Sequence, residues 1–166
     1  FNEIGPEKLK DANSFARIGK DWMLVTAGTK EKFNTMTASW GAFGVLWNKN
    51  VAFAFVRPQR YTFEFLENNE YYSLSFFEPK YKKELEFCGK ASGRDVDKIK
   101  ETGLVPLFDA DAPYFEQANL VLICKKLYSQ FVDPSCFLER DLNVNYPNKD
   151  YHKMFVGEIV KCMVKE

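Results

Sequence analysis

The sequence predicts a mainly β fold, an antiparallel barrel of six or seven strands with α-helices at its periphery. Three observations carry this. Short runs rich in β-branched and aromatic residues recur along the chain, bounded by Gly, Pro and Asn. Aromatic side chains make up 16% of the residues, a share that suits strands, cores and interfaces. Helical segments are too few and too irregular for a doubly wound parallel sheet, so a closed barrel fits better.

The elements follow in order. Trp22 to Thr29 (WMLVTAGT) is a compact β-prone run that ends at a Gly turn. Residues 36–47 continue the sheet, and Gly41 and Gly44 imply a bend or a close backbone approach. Val51 to Val56 alternates large with small residues and reads as a half-packed strand that Pro58 stops. A helix begins near Thr62, turns Phe63, Phe65 and Leu66 inward, and ends by Asn68-Asn69. Tyr71 to Phe77 is a strand. Pro79 opens a helix carrying Tyr81, Leu85 and Cys88 at spacings of four and three. Ser92-Gly93-Arg94-Asp95 has the form of a capping box for a short helix with Val96 and Ile99 on its apolar face, and Gly103 stands where a C-terminal cap belongs. Asn119 to Val132 is a long strand or a strand pair, and Met154 to Val164 is the last strand. With no linker or repeat, residues 1–166 read as one domain.

Composition narrows the function. The chain is 46% hydrophobic and 28% charged, values of a globular domain rather than a disordered or membrane-embedded one. No apolar run approaches the roughly 18 residues a transmembrane helix needs. Lys plus Arg equals Asp plus Glu at 23 each, so no charge excess points to nucleic acid or an anionic membrane. Cys88, Cys124, Cys136 and Cys162 form no C-x-x-C pair and have no nearby His set, so no metal site is expected. Scattered single thiols and a polar, non-apolar start lead to the expectation of a reducing, cytoplasmic location.

Two segments carry chemistry. In Asn34-Thr35-Met36-Thr37-Ala38-Ser39-Trp40-Gly41, small and hydroxylic residues let a flat ring lie close to the backbone, whose N–H and C=O groups can bond its edge. On a strand Thr35, Thr37 and Ser39 share one face, with Met36 and Ala38 on the other. In Arg57-Pro58-Gln59-Arg60-Tyr61-Thr62, two guanidinium groups and a hydroxyl stand at a helix entrance, which suits a phosphate. The bland reading is a strand edge with a buried Trp40, followed by surface arginines and Thr62 as an N-cap. Together the two segments favour a planar ligand carrying a phosphate, the shape of a flavin nucleotide. His152, the only histidine, reads either as a proton donor at this site or as a solvated side chain in the Asn148-Lys149-Asp150 turn.

The order and spacing of these words resemble the flavin reductase-like family, whose fold is the FMN-binding split barrel, and its flavoredoxin-type members in particular. Matching words are Gly19-Lys20-Asp21-Trp22, N-T-M-T-A-S-W-G at 34–41, Gly44-Val45-Leu46-Trp47, R-P-Q-R-Y-T at 57–62 and Leu74-Ser75-Phe76-Phe77. Phe87-Cys88-Gly89-Lys90 with Ser92 to Lys98, and His152 before Gly157-Glu158-Ile159, look similar too. The resemblance implies a homodimer with FMN, or FAD, near the subunit interface. It places Thr37 to Trp40 along the flavin, Arg57, Arg60 and Thr62 around the phosphate, and the Cys88–Asp95 loop over the site with Lys90 and Ser92 near the cofactor. Ala91 stands where related sequences often carry a polar residue, which weakens a chemical role for that loop.

The activity implied is NAD(P)H-dependent reduction of bound flavin, with electrons passed to free flavin or another acceptor. Such chemistry asks the protein to stack two rings, exclude water and stabilise charge at one ring edge, and it needs no side-chain acid or base. The alternative is a flavoredoxin-like electron-transfer protein with fixed FMN and a protein redox partner. A barrel for single-stranded nucleic acid would need a basic groove, which the neutral balance disfavours. A structural dimer that has lost its cofactor is the remaining reading.

Overall fold

The computed structural model describes residues 1–10 and 13–165. Its main sheet is antiparallel throughout. The strands are β1 (Asn2–Ile4), β2 (Met23–Gly28), β3 (Phe33–Ala38), β4 (Gly41–Leu46), β5 (Lys49–Val56), β6 (Tyr71–Phe76), β9 (Leu120–Phe131) and β10 (Lys153–Val164). The short pair β7 (Pro106–Leu107) and β8 (Tyr114–Phe115) lies apart. The hydrogen-bonded order is β3-β2-β6-β9-β10-β5-β4, with β1 on β10. The ends of this path, β3 and β4, do not pair, so the barrel is split there rather than closed. Ser39 and Trp40 carry the chain across the split.

The strand pattern explains the core. On β2, Met23, Val25 and Ala27 enter one apolar cluster with Met36, Ala52, Leu74, Leu122 and Phe155. Leu24, between them, joins a second cluster with Leu85, Cys88, Phe115, Val121 and Ile123. The strand is buried on both faces, which is why its sequence is mostly apolar rather than alternating; its one hydroxyl, Thr26, is also buried. Helix α2 (Lys82–Lys90), entered through a tight turn at Pro79, supplies Leu85 and Cys88 to the second cluster. Helix α1 (Tyr61–Asn68) buries Thr62, Phe65 and Leu66, while Phe63 is only half-buried.

The structure sharpens two readings and corrects two. Residues 36–47 bend as expected, the chain turning at Ser39-Trp40 to form two strands. Gly41 is needed, since a Cβ there would lie 2.7 Å from the Phe53 carbonyl oxygen, but Gly44 meets nothing within 4 Å. Asn119 to Val132 holds one strand, not a pair. Ser92 caps no helix: its hydroxyl accepts from Arg94 N–H in a local turn, and helix α3 (Lys98–Thr102) starts later, at Asp97. The Asp97 carboxylate accepts from the N–H groups of Ile99 and Lys100, so the true cap stands two residues beyond the end of the supposed box. Gly103 does end the helix, with φ +68°.

No helix among the described residues is long and apolar enough to cross a membrane. Nor do three His, Cys, Asp or Glu side chains cluster there to hold a metal ion.

Candidate functional site

The site lies at the split. A cavity of about 250 Å3 is lined by Met36, Thr37, Ala38, Ser39, Trp40, Phe55, Arg57, Arg60 and His152. The β period sorts the β3 side chains as expected. Met36 and Ala38 enter the barrel cluster, while the Thr35 hydroxyl meets that of Thr26 at 2.8 Å on the opposite face. The Thr37 hydroxyl donates to the Leu85 carbonyl and fastens β3 to α2. Trp40 is 43% exposed, not buried.

The two arginines differ. Arg57 is engaged within the protein: Nη1 pairs with Asp150 at 2.7 Å, Nη2 donates to the Asn145 carbonyl at 2.8 Å, and the guanidinium lies 5.1 Å from the Tyr146 ring. It therefore ties the end of β5 to the 145–150 loop. Asp150 also accepts from Gln59, and these donors hold its carboxyl below the usual range. The Arg60 guanidinium donates to the Cys88 carbonyl, at 3.2 Å, and pairs with no carboxylate among the described residues. Burial lowers its pKa. A half-buried guanidinium without a counter-charge is the natural partner of an incoming anion.

His152 is buried, not solvated, with 9% exposure. Its ring centroid is 4.9 Å from that of Trp40, and Nδ1 lies 3.0 Å from the Tyr146 hydroxyl. A hydroxyl donating to Nδ1 leaves the ring proton on Nε2. Burial, reinforced by the Arg57 charge and opposed by Asp150, pushes the pKa down to about 4. At neutral pH the ring is uncharged, a hydrogen-bonding group rather than a proton reservoir.

Thr37 and Ser39 also wall a second cavity, of about 410 Å3, with Trp22, Gly89 and Lys90. A further cavity of about 430 Å3 is lined in part by Asn34, Thr35, Arg94 and Lys98. A larger cavity, about 660 Å3, lies between Pro58 and the 129–134 segment and includes none of the predicted site residues.

Five predicted residues stand behind the first cavity instead of in it. The Thr62 hydroxyl is fully buried and accepts from Asn34 Nδ2 at 2.8 Å, so it braces the arginine turn from within. Gly41 fits against Phe53. Tyr61 packs edge-on to Phe65, with the Arg94 guanidinium 4.6 Å from its ring. Ser92 holds its own turn. Asn34 is itself held in place by Gly93, where a Cβ would lie 2.1 Å from Asn34 Oδ1. Gly93→Ala is expected to cost about 1–3 kcal/mol by overpacking. Urea denaturation checks this, and an unchanged midpoint would mean that Asn34 has room to move.

Sequence reasoning missed Phe55, Tyr146 and Asp150 as site neighbours, and Lys98 as a buried charge. The first three come from a strand and loop whose approach to Trp40 is set by tertiary structure. Lys98 belongs to a charged stretch that reads as surface.

No curated protein matches the chain. Among solved structures, a flavoredoxin from Methanosarcina acetivorans superposes with a TM-score of 0.67 at 24% identity, over 88% of this chain and 69% of that one. An FMN-binding protein from Thermus thermophilus with bound p-hydroxybenzaldehyde gives 0.68 at 23%, over 87% and 71%. An NADH:FAD oxidoreductase from Streptomyces globisporus in complex with NAD and FAD fragments gives 0.64 at 18%, over 87% and 74%. These likenesses establish the split-barrel fold, and a flavin reductase like domain model matches residues 15–166. The chain belongs to the flavin reductase like domain family.

Proposed function

We propose that this domain is a flavin-binding oxidoreductase that holds FMN along Met36–Trp40 with its phosphate at Arg60, takes hydride from NAD(P)H and passes electrons to free flavin or another acceptor. The observation that carries the reading is Arg60, a half-buried cation with no carboxylate partner among the described residues, in the lining of a cavity that Thr37 and Ser39 also wall. When bound, a flavin supplies the hydride-accepting ring.

The protein's own groups position and shield. Thr37 and Ser39 wall both cavities, and the Thr37 hydroxyl, bonded to the Leu85 carbonyl, fixes that wall in place. Lys90 is exposed beside the second cavity, placed to meet an anionic nicotinamide nucleotide. Neutral His152 offers a hydrogen bond from a fixed ring and no charge. Arg57 holds the 145–150 loop over the site and leaves phosphate binding to Arg60.

The first cavity falls below the roughly 300–1,000 Å3 usual for a ligand pocket. A second copy of the chain would deepen it. Trp40, Val45 and Trp47 are exposed along the edge strand β4 and its turn, an apolar strip suited to a homodimer. Likeness to a flavoredoxin supports the second reading, electron transfer to a protein partner. FMN-loaded protein mixed anaerobically with NADH or NADPH in a stopped-flow instrument separates the two. Rapid bleaching of the flavin is expected; if neither nucleotide bleaches it, the reductase reading fails and electron transfer remains.

A further inference from the structure

Lys98 is a buried cation, 5% exposed. Its ammonium donates to the carbonyls of Thr35 at 2.7 Å and Cys88 at 2.9 Å, joining β3 to the last turn of α2. Arg60 donates to that same Cys88 carbonyl. Two cations from separate elements thus converge on one neutral oxygen, and neither is offset by a carboxylate among the described residues.

Among the described residues, the surrounding groups supply no counter-charge. The Cys88 thiol is pushed up to about 11 by burial and stays neutral. Glu84, also on α2, bears on Cys88 and has no resolved interaction with Lys98. On the rim of the adjoining cavity, Arg94 pairs with Glu64, and Asp97 is committed to capping α3. Asp95 is exposed to solvent there. An unpaired buried charge pair of one sign is costly and is relieved by an anion.

We infer that Lys98 is a positioning residue for the anion end of the flavin site: it holds the Cys88 carbonyl from one side so that Arg60 is presented from the other, and its charge adds to the field that a phosphate meets. This rests on the reading of Arg60 as the phosphate ligand. Lys98 does not line the cavity of Arg60, so it acts through the shared carbonyl and through its charge.

The test is the ratio of FMN to riboflavin affinity, measured by fluorescence titration. Burial lowers the Lys98 pKa to about 8, and a bound anion favours its charged form. The wild-type ratio is therefore expected to fall about tenfold between about pH 7 and about pH 9.5 as the ammonium loses its proton. Lys98→Met should lower the ratio about tenfold at pH 7 and flatten the profile, with riboflavin affinity within about threefold of wild type. Lys98→Arg, which keeps the charge, should retain the FMN preference. Equal loss of both ligands in Lys98→Met would mark a purely structural role and overturn the inference. So would a wild-type profile that is flat, which decides the matter even if Lys98→Met does not fold. A wild-type protein without preference for FMN sinks the Arg60 reading beneath it. A preference that survives Lys98→Met sinks the Lys98 inference alone.

Discussion

Arg60→Ala weakens FMN binding roughly 10- to 100-fold and leaves riboflavin binding nearly unchanged, because a charge-assisted hydrogen bond to phosphate contributes about 1.5–3 kcal/mol. Riboflavin lacks the phosphate, so it reports on the ring slot alone. Arg57→Ala behaves differently. Arg57 already spends its charge on Asp150 and its second nitrogen on the Asn145 carbonyl. Its loss releases the 145–150 loop and strands Asp150, so FMN and riboflavin should weaken together. Isothermal titration with both ligands against both variants checks the pair of outcomes. Equal loss of FMN and riboflavin in Arg60→Ala would show that Arg60 does not hold the phosphate.

The second large effect is on stability. His152 has a folded pKa of about 4 against an ordinary value of 6.5. Below pH 6.5 the unfolded chain takes up a proton that the folded chain refuses until about pH 4. Stability from this group is therefore complete above pH 6.5 and is lost as the pH falls towards 4. Between pH 7 and pH 5 the loss is about 2 kcal/mol. Urea denaturation of wild type and His152→Gln at both values isolates it, since the variant keeps every other titrating group. Parallel losses in the two proteins would assign the acid sensitivity elsewhere. The same shift makes His152 neutral at pH 7, so it stands beside Trp40 as a fixed hydrogen-bonding ring and not as an acid.

Much of this was legible in the chain. The strands at 22–29, 51–56, 71–77 and 154–164 stand within two residues of their observed bounds, because apolar β-prone runs between turn residues leave little choice. The alternation of Thr35 and Thr37 against Met36 and Ala38 follows from the period of a strand alone. The failures share one cause. Ser92 matched a capping pattern, but Asp97 competes for the same role and wins, since only its carboxylate sits before two free N–H groups. Thr62 looked like a phosphate ligand at a helix entrance. Its hydroxyl turns inward because Asn34, 28 residues earlier, reaches it across the fold.

Local pattern by itself determined the β class, the alternation of side chains along 35–38 and the presence of cations at 57–60. Those properties depend on neighbours a few residues apart. Which arginine is free for an anion was decided only by the tertiary structure, because the partners that occupy Arg57 lie on a distant loop. So was the state of His152, which depends on burial beside Trp40 and Tyr146. So too was the burial of Lys98, a residue whose charge reads as surface until α2 and β3 close over it. The physical reason is common to all three. Side-chain type and spacing fix what a residue can do, but its charge state and free valences depend on desolvation and on partners that only folding brings near.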